Sequence, residues 1–185
     1  MIRQALKQDK TDAAILMYQA IHDIAYVLTQ ETEYPKVLAE LEILYSMEGN
    51  RISYENCLIA EENGQVAGIV VSYPGKSAEK LDEAIKKYLL DKKGRTPVID
   101  KETDETDYYI DTLSVHSNFR NHGIGTNLLQ AAITKGIETG YKTISLVVDV
   151  DNIKARKLYD RLGFTYKKTI SIHHHDFDYL VKEVH

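Results

Sequence analysis

The chain has 185 residues, of which 43% are hydrophobic and 28% are charged, a balance typical of one globular domain. Its 23 basic and 28 acidic side chains give a formal charge of −5, which disfavours a general nucleic-acid binder. No apolar run approaches the roughly 20 residues that span a bilayer, so we expect no membrane partner. A single cysteine, Cys57, cannot form an intrachain disulfide, and it favours a cytoplasmic protein with Cys57 as a small buried hydrophobic residue.

The N-terminal part predicts a short strand over residues 2–6 and then two helices. Apolar residues recur at three- and four-residue spacing from Ala14 to Leu28, which predicts one continuous amphipathic helix. Pro35 suits the first turn of a second helix that stops near Gly49.

A hairpin follows these helices. Asn63-Gly64 tolerates the positive φ angles of a tight turn and separates two apolar, β-branched segments, residues 56–60 and 66–73. A helical segment over residues 78–90 and a polar stretch over 91–106 come next.

Strands and helices alternate from residue 108 to the C-terminus. In the predicted strand 108–115, alternation places Asp111 on the same face as Leu113. The remaining predicted elements are a helix over 124–138, a strand over 143–148, a helix over 152–162, and strands over 165–172 and 177–184. One hairpin together with at least one strand–helix–strand crossover predicts an α/β fold with a mixed sheet.

A glycine-containing turn between a strand and a helix is the first candidate ligand site. Leu113-Ser114-Val115 ends the strand, and Arg120-Asn121-His122-Gly123-Ile124-Gly125-Thr126 opens the helix. Glycines let a bulky anion approach the backbone, and the free N–H groups of a helix N-terminus attract phosphate oxygens. The same spacing also occurs in plain turns without a ligand. It is neither a dinucleotide-binding fingerprint, since Leu128 replaces a third glycine, nor a P-loop.

A second segment, Asn152 to Phe164, follows 27 residues after Gly125. The two segments together resemble the GNAT superfamily of N-acetyltransferases. Arg120, Gly123 and Gly125 match the family's Arg/Gln-x-x-Gly-x-Gly/Ala loop. The second match, to Asn-x-x-Ala-x-x-Leu-Tyr-x-x-x-Gly-Phe, consists of Asn152, Ala155, Leu158, Tyr159, Gly163 and Phe164.

This resemblance implies a mostly antiparallel sheet with one splayed parallel pair, formed by strands 108–115 and 143–148, and flanking helices. It implies one domain over 1–185, with residues 107–164 binding acetyl-CoA and residues 1–106 shaping the acceptor site. By resemblance, Leu113, Ser114 and Val115 run along pantetheine, and Asn152 reaches pantetheine or its sulfur end. The implied diphosphate-binding residues are Arg120, Asn121, His122, Gly123, Ile124, Gly125 and Thr126.

Transfer of an acetyl group to an amine needs a neutral amine, a polarised carbonyl and a proton for the departing thiolate. A lysine-like amine is about one part in a thousand neutral at pH 7.4, a handicap of roughly 4 kcal/mol. We expect a backbone N–H near Leu113 to polarise the carbonyl. Tyr159 stands where the family often places an acid, although an aromatic packing role explains it equally simply. Asp111 is the candidate base, directly or through water; its alternative is a salt-bridged strand carboxylate.

The resemblance implies a small-molecule or peptide amine as the acceptor, and the sequence does not identify which amine. An acidic run precedes the thioester-bearing strand, and either steers a cationic amine or forms a solvated loop; it contains Asp100, Glu102, Asp104, Glu105, Asp107 and Asp111. His173-His174-His175 more simply forms a turn than a metal site, and His22 is expected to be structural or on the surface. We expect no metal, and a homodimer is compatible with the resemblance.

Two other functions remain open at this point. A catalytically silent acyl-CoA-binding sensor would keep the fold and use Tyr159 and Asp111 only structurally. A nucleotide or phosphometabolite binder would share the glycine loop alone.

Overall fold

A computed structural model describes residues 1–185 and shows a seven-stranded sheet between two layers of helices. The strands are β1 (Ile2–Gln4), β2 (Cys57–Glu62), β3 (Gln65–Pro74), β4 (Tyr108–Val115), β5 (Thr143–Asp149), β6 (Thr165–Ile172) and β7 (His175–Glu183). The helices are α1 (Lys10–Ile21), α2 (Asp23–Thr29), α3 (Tyr34–Ser46), α4 (Ala78–Lys93), α5 (Ile124–Glu138) and α6 (Ile153–Arg161). The spatial order is β1-β2-β3-β4-β5-β7-β6.

Every pair of neighbouring strands is antiparallel except β4 and β5. Local sequence fixes the hairpins. Asn63 and Gly64 have φ angles of +52° and +76°, as a tight two-residue turn demands. His173 and His174 also have positive φ angles and form the β6–β7 turn, as predicted. The expected mixed sheet with one parallel pair is confirmed.

Two apolar cores lie on opposite faces of the sheet. Helices α1 to α4 pack on one face, where Met17, Leu41 and Tyr109 are fully buried. Helix α5 covers the other face, with Leu128 and Leu129 at its centre. No helix in the structure is long and apolar enough to cross a membrane.

One helix predicted from the sequence is two helices in the structure. The single helix expected from Ala14 to Leu28 ends at Ile21, and α2 begins at Asp23. His22 separates them with φ +38° and ψ −107°, a conformation outside the helical region. The apolar spacing continues across the break because both helices bury the same side, so periodicity alone could not reveal it.

Candidate functional site

The parallel strands β4 and β5 pair over only three residues and then separate. The last pair is Ile110 with Leu146, although β4 continues to Val115 and β5 to Asp149. A cavity of about 1250 Å³ lies at this opening and is lined by residues of both strands. The predicted splayed pair is therefore present, and it exposes part of the β4 backbone to the cavity.

A β-bulge in β4 corrects the predicted position of Asp111. In the β3–β4 ladder, Val71 is opposite Thr112 and Ser72 is opposite Ile110, so Asp111 is an extra residue without a partner. The bulge reverses the alternation of side chains beyond it. Leu113 packs on the α5 side, whereas Asp111 points to the α1 side and contacts Tyr73. The expectation that Asp111 and Leu113 share one face is wrong, because strict alternation assumes a strand without a bulge.

The glycine turn presents a helix N-terminus to the cavity. Gly123 has φ +78° and precedes α5, and the first intrahelical bond runs from the Asn127 N–H to the Gly123 carbonyl. The N–H groups of residues 124–126 therefore have no helical partner and carry the positive end of the helix dipole. Most of the predicted anion-binding residues line the cavity: Arg120, Asn121, Gly123, Ile124, Gly125 and Thr126. His122 is exposed and is not among the lining residues.

Gly125 has no side chain between the turn and β4, although a Cβ atom would fit there. A Cβ atom there would lie 3.6 Å from Val115 Cγ2 and 4.0 Å from Leu113 Cδ2, which are ordinary contact distances. Leu113, Ser114 and Val115 line the cavity next to this position. A longer side chain at Gly125 would therefore enter the space between the turn and β4.

Helix α6 brings two predicted residues to the cavity. The Asn152 Oδ1 atom accepts a hydrogen bond from the Ala155 N–H at 3.1 Å and caps the helix, which leaves the Asn152 NH₂ group as a donor. Tyr159 packs against Phe164 with the rings 6.1 Å apart. Burial raises the pKa of Tyr159 to about 12, so its hydroxyl is protonated at neutral pH.

A buried ionic cluster forms the cavity's floor on the α1 side. Arg51 donates from Nε and Nη2 to Asp111 Oδ2, at 2.9 and 2.6 Å. Asp111 Oδ2 also accepts from the Tyr73 hydroxyl at 2.5 Å, and Thr112 donates to Oδ1 at 2.7 Å. Both oxygens of Asp111 are thus engaged, an arrangement that argues against Asp111 as an open proton acceptor. Its alternative role, a salt-bridged strand carboxylate, describes the geometry.

Glu102 is the second carboxylate of this floor. Its Oε2 atom accepts from Arg51 Nη2 at 2.9 Å and from the Tyr109 hydroxyl at 2.8 Å. Burial raises the pKa of Glu102 above its usual value, against the opposing effect of the Arg51 charge. Sequence patterns gave no sign of Arg51, because its partners lie 51 and 60 residues away along the chain.

The rest of the predicted acidic run is engaged in structural contacts. Asp104 pairs with Lys167 and Lys168, and Asp107 accepts from the buried Tyr179 hydroxyl. Asp100 accepts from the His173 N–H at 2.7 Å. Lys167 and Lys168 offset the charge of Asp104, whereas Asp100 and Asp107 accept from neutral donors and keep their charge, so the steering hypothesis stays a prediction. No group of three or more His, Cys, Asp or Glu side chains is arranged to hold a metal ion.

Two segments form the outer rim of the cavity next to this floor. One is the α1–α2 break, residues 19–24, which includes His22. The other is the β6–β7 turn, which contributes Ile172, His173, His175 and Phe177. This rim, which mixes apolar and polar side chains, and the charged floor together form a pocket on the side of the sheet opposite α5.

Comparison with known proteins identifies this arrangement. A family model described as the acetyltransferase (GNAT) family matches residues 17–164. The chain belongs to the GNAT family. The family consists of acetyltransferases and uses acetyl-CoA.

Particular relatives are similar over different shares of the chain. The N-acetyltransferase from Staphylococcus aureus Mu50 has a TM-score of 0.85 and 30% identity, over 98% of this chain and all of that one. N-alpha-acetyltransferase 30 of Dictyostelium discoideum is 31% identical over 116 residues, 63% of this chain and 49% of the relative. Its human counterpart is 40% identical over 62 residues, 34% of this chain and 17% of the relative. The match thus spans less than half of these curated relatives.

Proposed function

We propose that this GNAT protein transfers the acetyl group of acetyl-CoA directly to a primary amine. The observation that carries the proposal is the opening of β4 from β5 beyond Ile110, since one cavity joins the α5 N-terminus, the opened strand and Tyr159. These parts are what a diphosphate, a thioester and a leaving thiolate respectively need.

The residues present fit acetyl-CoA. The free N–H groups of residues 124–126 and the Arg120 guanidinium bind the diphosphate. Gly125 lets the diphosphate approach, because it has no side chain of its own and the protein atoms nearest to a Cβ there, Val115 Cγ2 and Leu113 Cδ2, lie 3.6 and 4.0 Å away. The backbone of Leu113, Ser114 and Val115 holds pantetheine, and the Asn152 NH₂ group donates near the sulfur end.

The proposed reaction needs no acyl-enzyme. The neutral amine attacks the thioester carbonyl, and a β4 backbone N–H near Leu113 stabilises the oxyanion. The C–S bond then breaks, and Tyr159 donates its proton to the thiolate. Burial keeps Tyr159 protonated at neutral pH, and because a thiol has a pKa of about 8.5, well below that of Tyr159, the transfer is uphill unless the tyrosine takes a proton from the newly bonded nitrogen as it gives its own to sulfur. Cys57 is fully buried, and burial raises the pKa of its thiol, so it takes no part.

We further propose the α-amino group of a peptide as the acceptor. The similarity to N-alpha-acetyltransferase 30 favours this choice over a free small-molecule amine. The cavity adds support, because its floor holds carboxylates that attract an ammonium group. A peptide α-amine has a pKa of about 7.7–8.0, so it loses its proton more readily than a lysine side chain.

A panel of acceptors tests the proposal. Purified protein is mixed with acetyl-CoA and with short peptides that carry either a free or a blocked amino terminus, and thiol release is measured. We expect turnover only with a free α-amine, and mass spectrometry should locate the acetyl group there. Acetyl-CoA binding without turnover on any amine would favour the silent sensor, and no binding would refute both.

A further inference from the structure

We propose that Glu102 is the carboxylate that takes a proton from the acceptor's ammonium group. This assignment rests on the proposed function and names a residue that the family pattern does not supply. Its basis is the contrast between the two carboxylates that share Arg51 at the cavity floor.

The two carboxylates differ in how much of their hydrogen-bonding capacity is used. Asp111 accepts bonds on both oxygens from Arg51, Tyr73 and Thr112. Glu102 accepts only on Oε2, from Arg51 and Tyr109. Asp111 is held by its protein partners, whereas Glu102 keeps Oε1 for another donor.

The free oxygen of Glu102 is accessible. The only buried side-chain polar atom without a hydrogen-bond partner is the Tyr141 hydroxyl. Oε1 of Glu102 also lacks a partner but is not one of these fully buried atoms. Part of its surface is therefore accessible, even though the side chain is only 7% exposed. Glu102 lines the site cavity, and this cavity is therefore where Oε1 can meet a donor.

The surroundings of Glu102 fix its position and adjust its basicity. Arg51, in the loop after α3, and Tyr109 and Asp111, on β4, act on Glu102 directly. Asp82 on α4 and Tyr73 on β3 face Arg51 instead and have no resolved effect on Glu102. Arg51 and Tyr109 hold Oε2 and so orient the carboxylate. Burial raises the pKa of Glu102, which makes it a stronger base than an exposed glutamate once it is ionised.

The proton balance is complete without another reactant. Ionised Glu102 takes one proton from R–NH₃⁺ and leaves a neutral amine whose lone pair forms the new C–N bond. When the C–S bond breaks, its electron pair leaves with sulfur, which takes a proton from Tyr159. The second nitrogen proton restores Tyr159, and Glu102 releases its proton to solvent. The products are the amide, the free thiol and one proton.

The test compares Glu102→Gln with Asp82→Asn, using acetyl-CoA and a peptide with a free α-amine. Gln keeps the size of Glu102 and accepts from Arg51 and Tyr109, but it cannot take a proton at neutral pH. Asp82 lies 3.5 Å from Arg51 in the same cluster and does not line the cavity, so it is the matched control. Melting curves and acetyl-CoA binding verify that each variant folds.

The pH dependence separates a proton acceptor from a structural residue. About 2% of α-amines are neutral at pH 6 and about 95% at pH 9. E102Q should therefore lose up to about fifty-fold in kcat/KM at pH 6 and less than about twofold at pH 9, while D82N stays near wild type throughout. Glu102→Asp keeps a carboxylate and should retain at least tenfold more activity than E102Q at pH 6.

Three results would overturn the assignment. E102Q could match wild type at pH 6, E102Q could lose the same factor at every pH, or E102D could be no better than E102Q. If wild-type protein acetylates none of the peptides, the proposed function itself fails, which is a different result from an active wild type with an active E102Q.

Discussion

Replacing Gly125 with leucine should weaken acetyl-CoA binding about a hundredfold without destabilising the free protein. The new Cβ would lie 3.6 Å from Val115 Cγ2, a normal contact, while the longer side chain enters the space beside β4 that we assign to the cofactor. Leucine favours a helix more than glycine does by about 0.5–1 kcal/mol, which corresponds to a melting temperature about 1–4 °C higher.

In the presence of acetyl-CoA, the substitution should lower the melting temperature relative to wild type, and this decrease should exceed the increase expected for the free protein. At a concentration a hundredfold above Kd, a ligand stabilises the wild type by about 2.7 kcal/mol, or about 5–10 °C. If Gly125→Leu weakens binding a hundredfold, that stabilisation falls to about 0.4 kcal/mol, a shift of about 1–2 °C. Differential scanning fluorimetry with and without acetyl-CoA measures both quantities.

Two substitutions in the same turn serve as controls. Gly125→Ala adds only the Cβ atom, and the family pattern accepts alanine there, so binding should persist. Gly123→Ala should instead lower the melting temperature of the free protein, because φ is +78° and alanine in this region costs about 1–2 kcal/mol. An undiminished acetyl-CoA shift in Gly125→Leu would refute the placement of the cofactor.

Three further predictions follow from other residues. Tyr159→Phe should lower kcat at least a hundredfold and leave acetyl-CoA binding unchanged. Because burial raises the pKa of Tyr159 to about 12, the kcat of the wild type should not fall on the alkaline side below pH 10. Stopped-flow measurement of thiol release checks both predictions. Asp111→Asn removes the carboxylate that accepts two bonds from Arg51, while Glu102 and Asp82 still compensate the charge of Arg51, so it should cost about 1.5–3 kcal/mol in urea unfolding. Asp9→Asn should reduce acid sensitivity: the Arg3 hydrogen bond lowers the pKa of Asp9, so this carboxylate stabilises the fold above about pH 4 and loses the effect as pH falls. Thermal melts from pH 5 to 2.5 measure the last.

Each of these predictions has a clear contrary result. Wild-type turnover in Tyr159→Phe would reject the tyrosine as the acid and leave its packing on Phe164 as its role. A urea midpoint unchanged in Asp111→Asn would mean that the buried ion pair contributes little to folding. Equal acid sensitivity of wild type and Asp9→Asn would show that other carboxylates dominate acid unfolding.

Local signals in the sequence predicted much of the fold. Asn63-Gly64 indicated its hairpin because the positive φ angles depend on those two residues alone. The N-terminus of α5 followed from Gly123. The predicted helix over 152–162 starts at Asn152, whose side chain caps α6 within its own first turn. These features involve neighbours in sequence, so a pattern can reveal them.

Features that depend on distant contacts were not predictable in the same way. The bulge at Asp111 is a property of how β4 aligns with β3, and strict alternation misplaced the side chain. The His22 break interrupts no apolar spacing. Arg51 comes next to Glu102 and Asp111 only when β4 and the loop before it fold against the loop after α3. Glu102 differs from the other acidic residues only in its buried hydrogen-bond partners.

A crystal structure of the protein with acetyl-CoA tests the central claim most directly. We expect the diphosphate within hydrogen-bonding distance of the N–H groups of residues 124–126, and the acetyl carbonyl in the gap beyond Ile110. Acetyl-CoA bound elsewhere on the protein, with the gap between β4 and β5 closed, would contradict this placement.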